Sequence, residues 1–159
     1  MLLIVHHSAT GGTRQMAEAA LEGALAEGEA RLLHATGAWP ADLLAASAYL
    51  FAAPENLASL AGVMKDFFDR TYYPVLDRLN GRPYAAMICA GSDGQGAARQ
   101  IARIATGWRL RPVAEPLIIC TRAQTPEAIL APKIIAPADL GRCHELGAAL
   151  AAGTKLGIF

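Results

Sequence analysis

The stretch MLLIVHHSATGGTRQMAEAA, residues 1–20, passes from an apolar run through two histidines into a turn of hydroxyls and glycines, then into an alanine-rich helical pattern. Ser8, Thr10 and Thr13 place three hydroxyls within a short turn, and Gly11 and Gly12 let the backbone aim its N–H groups inward. A helix that starts there points its positive end at the same spot. The turn therefore reads as an uncharged cradle for a phosphate dianion, one that needs no lysine. The plain alternative is that Thr10 or Thr13 caps the helix and the glycines only shape the turn. No Gly-Lys-Ser/Thr follows, and the glycine spacing is not that of a dinucleotide fingerprint.

Outward from this turn, short apolar runs alternate with helical patterns. Strands are expected at 2–6, 30–35, 48–53, 84–90 and somewhere within 111–120, each largely apolar, as in a parallel sheet covered on both faces. Helices are expected at 13–27, 41–46, 60–79, 96–108 and 138–152. This alternation predicts an α/β fold, a three-layer sandwich around a five-stranded parallel sheet in the order 2-1-3-4-5. No linker or repeat divides residues 1–159, so one domain is expected. The proline-rich region 112–137 reads as loops around the last strand.

Composition narrows the function. Apolar residues make up 53% of the chain, yet no run approaches the roughly 18–20 residues of a membrane span. Fourteen basic residues balance fourteen acidic ones, which argues against nucleic acid as a partner. The start MLLIVHH has no basic region before a long apolar core, so no signal peptide is read. Cys89, Cys120 and Cys143 are odd in number and far apart; Cys89 and Cys120 lie in apolar runs, where buried free thiols are expected. A cytoplasmic setting follows. No close cysteine or cysteine–histidine pair suggests a metal. His6 and His7, adjacent on a strand, point to opposite faces and cannot easily chelate one ion. His34 and His144 read as structural.

In a sheet of this order, ligands sit beyond the carboxyl ends of the strands, flanked by the loops after strands 1 and 3. Those loops are Ser8–Thr13 and Ala53–Gly62, joined by Ala90–Ala97 after strand 4. Ser8-Ala9-Thr10-Gly11-Gly12-Thr13, followed by Ala17, resembles the phosphate loop of the flavodoxin-like flavoproteins. Pro54 to Gly62, running into the Lys65-x-Phe67-x-Asp69-Arg70 helix, resembles the NAD(P)H-dependent FMN reductase and quinone reductase branch. Gly91-Ser92-Asp93-Gly94-Gln95-Gly96 is similar to that branch's glycine-rich segment beside the flavin ring. The likeness spans about residues 2 to 108.

The resemblance implies noncovalent FMN, with its phosphate held by Ser8, Thr10, Gly11, Gly12 and Thr13. It implies a ring edge met by Pro54, Glu55, Asn56, Leu57, Gly91, Ser92 and Gly94. No catalytic side chain is implied, because the flavin N5 carries the chemistry. NAD(P)H is the implied co-substrate and a small molecule such as a quinone the acceptor; the resemblance leaves room for a homo-oligomer. Two departures stand out. His6 replaces the family's frequent aromatic two residues before the first serine. Asn56 and Leu57 stand where aromatics usually edge the ring, a loss on the order of 1 kcal/mol. Glu55 reads more readily as solvent-facing than as a flavin contact, and Asp93 as a turn residue.

Lys65/Asp69 and Asp66/Arg70 read as a solvated helix face. Tyr72, Tyr73 and Pro74 are either core or the border of a partner, and Trp39 is a second candidate for a surface contact. Two other classes fit the same residues: a flavodoxin-type electron carrier, and a flavodoxin-like binding domain that has lost its cofactor.

Overall fold

The computed structural model describes residues 1–159. Seven strands form, β1 (Leu2–His6), β2 (Ala30–His34), β3 (Ala48–Asn56), β4 (Ser59–Leu60), β5 (Pro83–Ala90), β6 (Arg111–Pro112) and β7 (Leu117–Cys120). Six α-helices accompany them, α1 (Gly12–Glu27), α2 (Pro40–Ala45), α3 (Gly62–Val75), α4 (Gln95–Gly107), α5 (Pro126–Leu130) and α6 (Pro137–Leu156).

The central sheet runs β2-β1-β3-β5, and β6 and β7 follow one another along the outer edge of β5, all parallel. This is the expected order 2-1-3-4-5 with its fifth position split in two. The split has a local cause: Pro112 has no N–H for the ladder, and Pro116 restricts the backbone of the residue before it. The sheet thus has seven strands rather than five, the seventh being β4, which returns antiparallel along β3. β1 and β5 are buried throughout. β2 lies at the edge, as the expected order places it, but is half exposed rather than covered on both faces as its apolar run suggested.

Alternate strand residues feed two cores. On one face Val5, Tyr49 and Phe51 pack against Phe67 and Phe68 of α3 and Ile101 of α4, closed by Trp108. On the other Ile4, Leu50 and Met87 pack against Met16 and Ala20 of α1 and Cys143 and Leu150 of α6. Tyr72 is drawn into the first core, its ring stacked on Trp108 at 5.7 Å, whereas Tyr73 points to solvent. Cys120 is exposed, contrary to its apolar surroundings in sequence; Cys89 and Cys143 are buried.

The charged face of α3 is more than solvated. Lys65–Asp69 and Arg70–Asp66 both pair at 2.7 Å. Arg70 also donates to the Ala35 and Ala38 carbonyls and lies 4.9 Å over the Trp39 ring. It thereby ties the connection after β2 to the helix. No helix is long and apolar enough to cross a membrane.

Candidate functional site

The loops at the carboxyl ends of β1, β3 and β5 line a cleft of about 510 Å³, within the range of small-molecule sites. Gly11 turns the chain out of β1 with φ +90 and N-caps α1, while the Ser8 hydroxyl accepts from the Gly11 N–H at 3.1 Å. No side chain caps α1, so the reading of Thr10 or Thr13 as a cap does not hold. The N–H groups of Gly12, Thr13 and Arg14 meet no acceptor in the protein. Thr13 Oγ1 is buried and has no hydrogen-bond partner. The Cys89 thiol beside it feels the hydroxyl without reaching it in hydrogen-bond geometry, and burial pushes that thiol's pKa up. A Cβ on Gly12 would stand 2.7 Å from Cys89 Sγ and 3.3 Å from Lys133 Cβ, so the loop closes this tightly only on glycine. Three open backbone donors and one stranded hydroxyl at a helix N-terminus have the make-up of an anion hole.

The second wall departs from expectation. β3 does not stop at Ala53 but continues to Asn56, turns at Leu57 and Ala58, and returns as β4, pairing Glu55 with Leu60 and Asn56 with Ser59. Leu57 and Ala58 both take left-handed φ, +51 and +58, as a type I′ hairpin requires. From α4, Gln100 Oε1 accepts from Leu60 N at 2.6 Å and Ser59 Oγ at 3.1 Å. Gly96 leaves the hairpin room, since a Cβ there would lie 2.0 Å from the Ala58 carbonyl oxygen. Neither tip residue is comfortable in that backbone region. Ala58→Gly is therefore expected to raise stability by about 1 kcal/mol, or ~2–4 °C in Tm. A melt no higher than wild type would show that the hairpin is not strained.

Glu55 is the clearest correction at this wall. It neither faces solvent nor is free for a ligand: its two carboxylate oxygens accept from Gly94 N at 2.9 Å and Ala97 N at 3.1 Å. It thus caps α4 from the end of β3 and neutralises that helix end. α4 thus carries a carboxylate at its N-terminus, whereas the start of α1 has none, which leaves α1 the better placed of the two to meet an anion.

The third wall is Ala90, Gly91 and Ser92. Gly94, with φ +84 and Ile118 packed where a Cβ would go, shapes this wall rather than lining it. Gly11 does the same at the first wall; the other expected site residues all line the cleft.

A further wall went unread in the sequence. After β7 the chain crosses the cleft. Thr121 and Arg122 donate to the carbonyls of Ala90 and Gly91, and Lys133 N donates to the Thr10 carbonyl at 2.8 Å. Gln15 Nε2 donates to Gly11 O and Lys133 O, and its Oε1 accepts from Ile135 N. Ile129, Leu130 and Lys133 of this strap face the cleft. One signal was legible: Thr125-Pro126-Glu127 is a cap followed by Pro at the first helical position, and Thr125 does cap α5.

At the outer side of the first loop three histidines meet. His6 lies opposite His34 in the β1–β2 register, their rings 5.4 Å apart, and His7 Nδ1 stands 3.2 Å from His34 Nε2. His34, read from the sequence only as structural, thus touches both. No three metal-ligating side chains are placed to hold an ion. His6 Nδ1 is buried without a partner, and burial first, then His34, His7 and Arg14, pull its pKa from 6.5 down to about 4. Between those values the unfolded chain takes up a proton that the fold refuses, so this residue makes stability fall as pH drops from 6.5 toward 4. His6→Asn is expected to flatten that part of a Tm-against-pH curve; an unchanged slope would assign the acid sensitivity elsewhere.

Residues 6–123 match the family described as NADPH-dependent FMN reductase. A curated flavodoxin of Aquifex aeolicus (strain VF5) is 33% identical over 97 residues, 60% of this chain and 52% of that protein. The match therefore spans about half the length of that relative. A flavodoxin structure from the Archaea superposes with TM-score 0.78 at 20% identity, covering 97% of this chain and 98% of that one. A flavodoxin, WrbA-like protein from Agrobacterium tumefaciens gives 0.70 at 20%, covering 98% and 97%. The flavodiiron protein of Giardia intestinalis gives 0.77 at 18%, covering 98% of this chain and 36% of the other. At these identities the structural likenesses speak for the fold.

Proposed function

The chain belongs to the NADPH-dependent FMN reductase family, and on that premise we propose that it holds FMN noncovalently in the cleft and passes hydride from NAD(P)H to the flavin or to a small acceptor such as a quinone. The observation that carries this reading is the unused donor set at the start of α1: three N–H groups and the buried Thr13 hydroxyl, none with a protein acceptor. Unpaired polar groups of this kind are costly unless a ligand satisfies them.

In this reading the N–H groups of Gly12, Thr13 and Arg14 and the hydroxyls of Thr10 and Thr13 donate to the phosphate. Pro54 to Leu57 and Gly91 to Ser92 flank the ring. Leu57, fully exposed at the hairpin tip, covers less of a ring than an aromatic would and leaves one face open to co-substrate and acceptor. The bound flavin supplies the redox chemistry, accepting and donating hydride at N5. The protein then needs no nucleophile. The only carboxylate lining the cleft, Glu55, is already committed to α4.

A second reading, a flavodoxin-type electron carrier, is favoured by the likeness to the Aquifex protein, though the balanced charge of this chain matches poorly with the strong acidity of such carriers. The test is a visible-spectrum titration with FMN, followed by NADH or NADPH. Bound flavin that bleaches on addition of either supports the reductase. Flavin that binds but stays oxidised leaves the carrier. Failure to take up FMN at all would leave a binding domain without its cofactor.

A further inference from the structure

We propose that Lys133 is the residue that makes this cleft prefer a flavin carrying a phosphate over the same flavin without one. The inference rests on the cleft's being a flavin site. The sequence suggested a phosphate cradle with no cation; the fold brings one from more than a hundred residues away. Of the residues lining the cleft, Lys133 alone is cationic.

Its backbone is fixed to the phosphate loop from both sides. Its N–H donates to Thr10 O at 2.8 Å, and its carbonyl accepts from Gln15 Nε2 at 2.6 Å, the same amide that holds Gly11 O at 3.0 Å. Its Cβ stands 3.3 Å from where a Cβ of Gly12 would be, so the stem starts beside the open N–H groups.

The charge is uncompensated. Lys133 belongs to none of the ion pairs of the fold. Its three protons rest on the carbonyls of Ala128, Ile129 and Ala131 at 2.7, 2.9 and 2.6 Å. Those acceptors are neutral and lie in an exposed helix end, so water can replace any of them. A charge-assisted bond to a phosphate oxygen is roughly twice as strong as such a neutral one. One reorientation of a flexible stem exchanges the weaker partner for the stronger. The field of the ammonium already reaches into the cleft, where it opposes the effect of burial on the Cys89 thiol. Arg14, the other cation near the loop, is mostly exposed and paired to Glu18 at 3.8 Å.

The test compares FMN with riboflavin by quenching of flavin fluorescence, in the wild type, Lys133→Met and Lys133→Arg, at low and high salt. Wild type is expected to bind FMN more tightly, with an affinity that falls as salt rises. Lys133→Met is expected to lose about 10- to 100-fold in FMN affinity with riboflavin affinity unchanged, and to show a flatter salt dependence. Lys133→Arg should keep the preference. Equal weakening of both flavins in Lys133→Met would mean that the lysine only caps α5, and no weakening of either would remove it from the site; each overturns the inference. A wild type that takes up neither flavin would instead overturn the flavin reading itself, and this inference with it.

Discussion

Thr13→Val is expected to make the flavin-free protein more stable while weakening its hold on FMN by one to two orders of magnitude. The two effects share one cause. Thr13 is buried at the start of α1 with a hydroxyl that no protein group satisfies, a cost of about 1–3 kcal/mol. Valine keeps the shape and the β-branch and removes the stranded oxygen, so the free protein should gain roughly 1 kcal/mol, or ~2–4 °C. In the complex the same hydroxyl would bond a charged phosphate, worth about 1.5–3 kcal/mol, and valine forfeits that. Melting of the free protein and an FMN titration, run on one preparation, read both signs. Thr10 is only half buried, so Thr10→Val should weaken FMN without the gain in stability, and the double variant should lose uptake. A less stable Thr13→Val would show that the hydroxyl has a partner in the free fold. Undiminished FMN affinity in the double variant would take the phosphate away from this loop.

The contrast between what the sequence revealed and what it hid follows the range of the interactions. β1 and the start of α1 were legible because an apolar run, a glycine pair and an alanine-rich period lie within 27 consecutive residues. The hairpin of β3 and β4 was not. Leu57-Ala58 lacks the Asn-Gly or Asp-Gly signal of a type I′ turn, and the tip is held by Gln100, some forty residues on. Glu55 was misread for the same reason: nothing near it in sequence says that a helix N-terminus 39 residues away receives its carboxylate. His34 acquired partners only through the register that sets it opposite His6. Lys133 was invisible as a site residue, since the proline-rich segment around it has no period. Its place is fixed by hydrogen bonds to Thr10 and Gln15 at the other end of the chain.

Gly147→Ala should be among the most damaging single-methyl changes in the fold. α1 and α6 pack side by side on one face of the sheet, and glycines let their backbones touch. A Cβ on Gly147 would stand 1.9 Å from the Ala20 carbonyl oxygen and 2.7 Å from its carbon; on Gly23 it would stand 2.1 Å from the His144 carbonyl oxygen. These neighbours are helix backbone and cannot rotate aside, so the helices must part. Overpacking of this kind costs about 1–3 kcal/mol, at times more. It outweighs the ~1 kcal/mol that alanine gains over glycine in helix propensity. Clashes this close with backbone take the upper end of that range, about 3 kcal/mol, so a net loss of about 2 kcal/mol, or ~4–8 °C in Tm, is expected for either variant. The double should lose less than the sum, because the first methyl already opens the gap for the second. Gly141→Ala supplies the control: it lies in α6 with nothing within 4 Å of the added methyl, so it should be neutral or raise Tm. The consequence also reaches the cleft. α1 carries the open N–H groups of Gly12, Thr13 and Arg14 at its other end, and a helix pushed outward moves those donors. Gly147→Ala should therefore bind FMN more weakly, although residue 147 lines no part of the cleft. A melt matching wild type would show that α1 and α6 do not pack this closely in solution. A lowered melt with full FMN affinity would show that the phosphate loop is held by the strap and not by its helix.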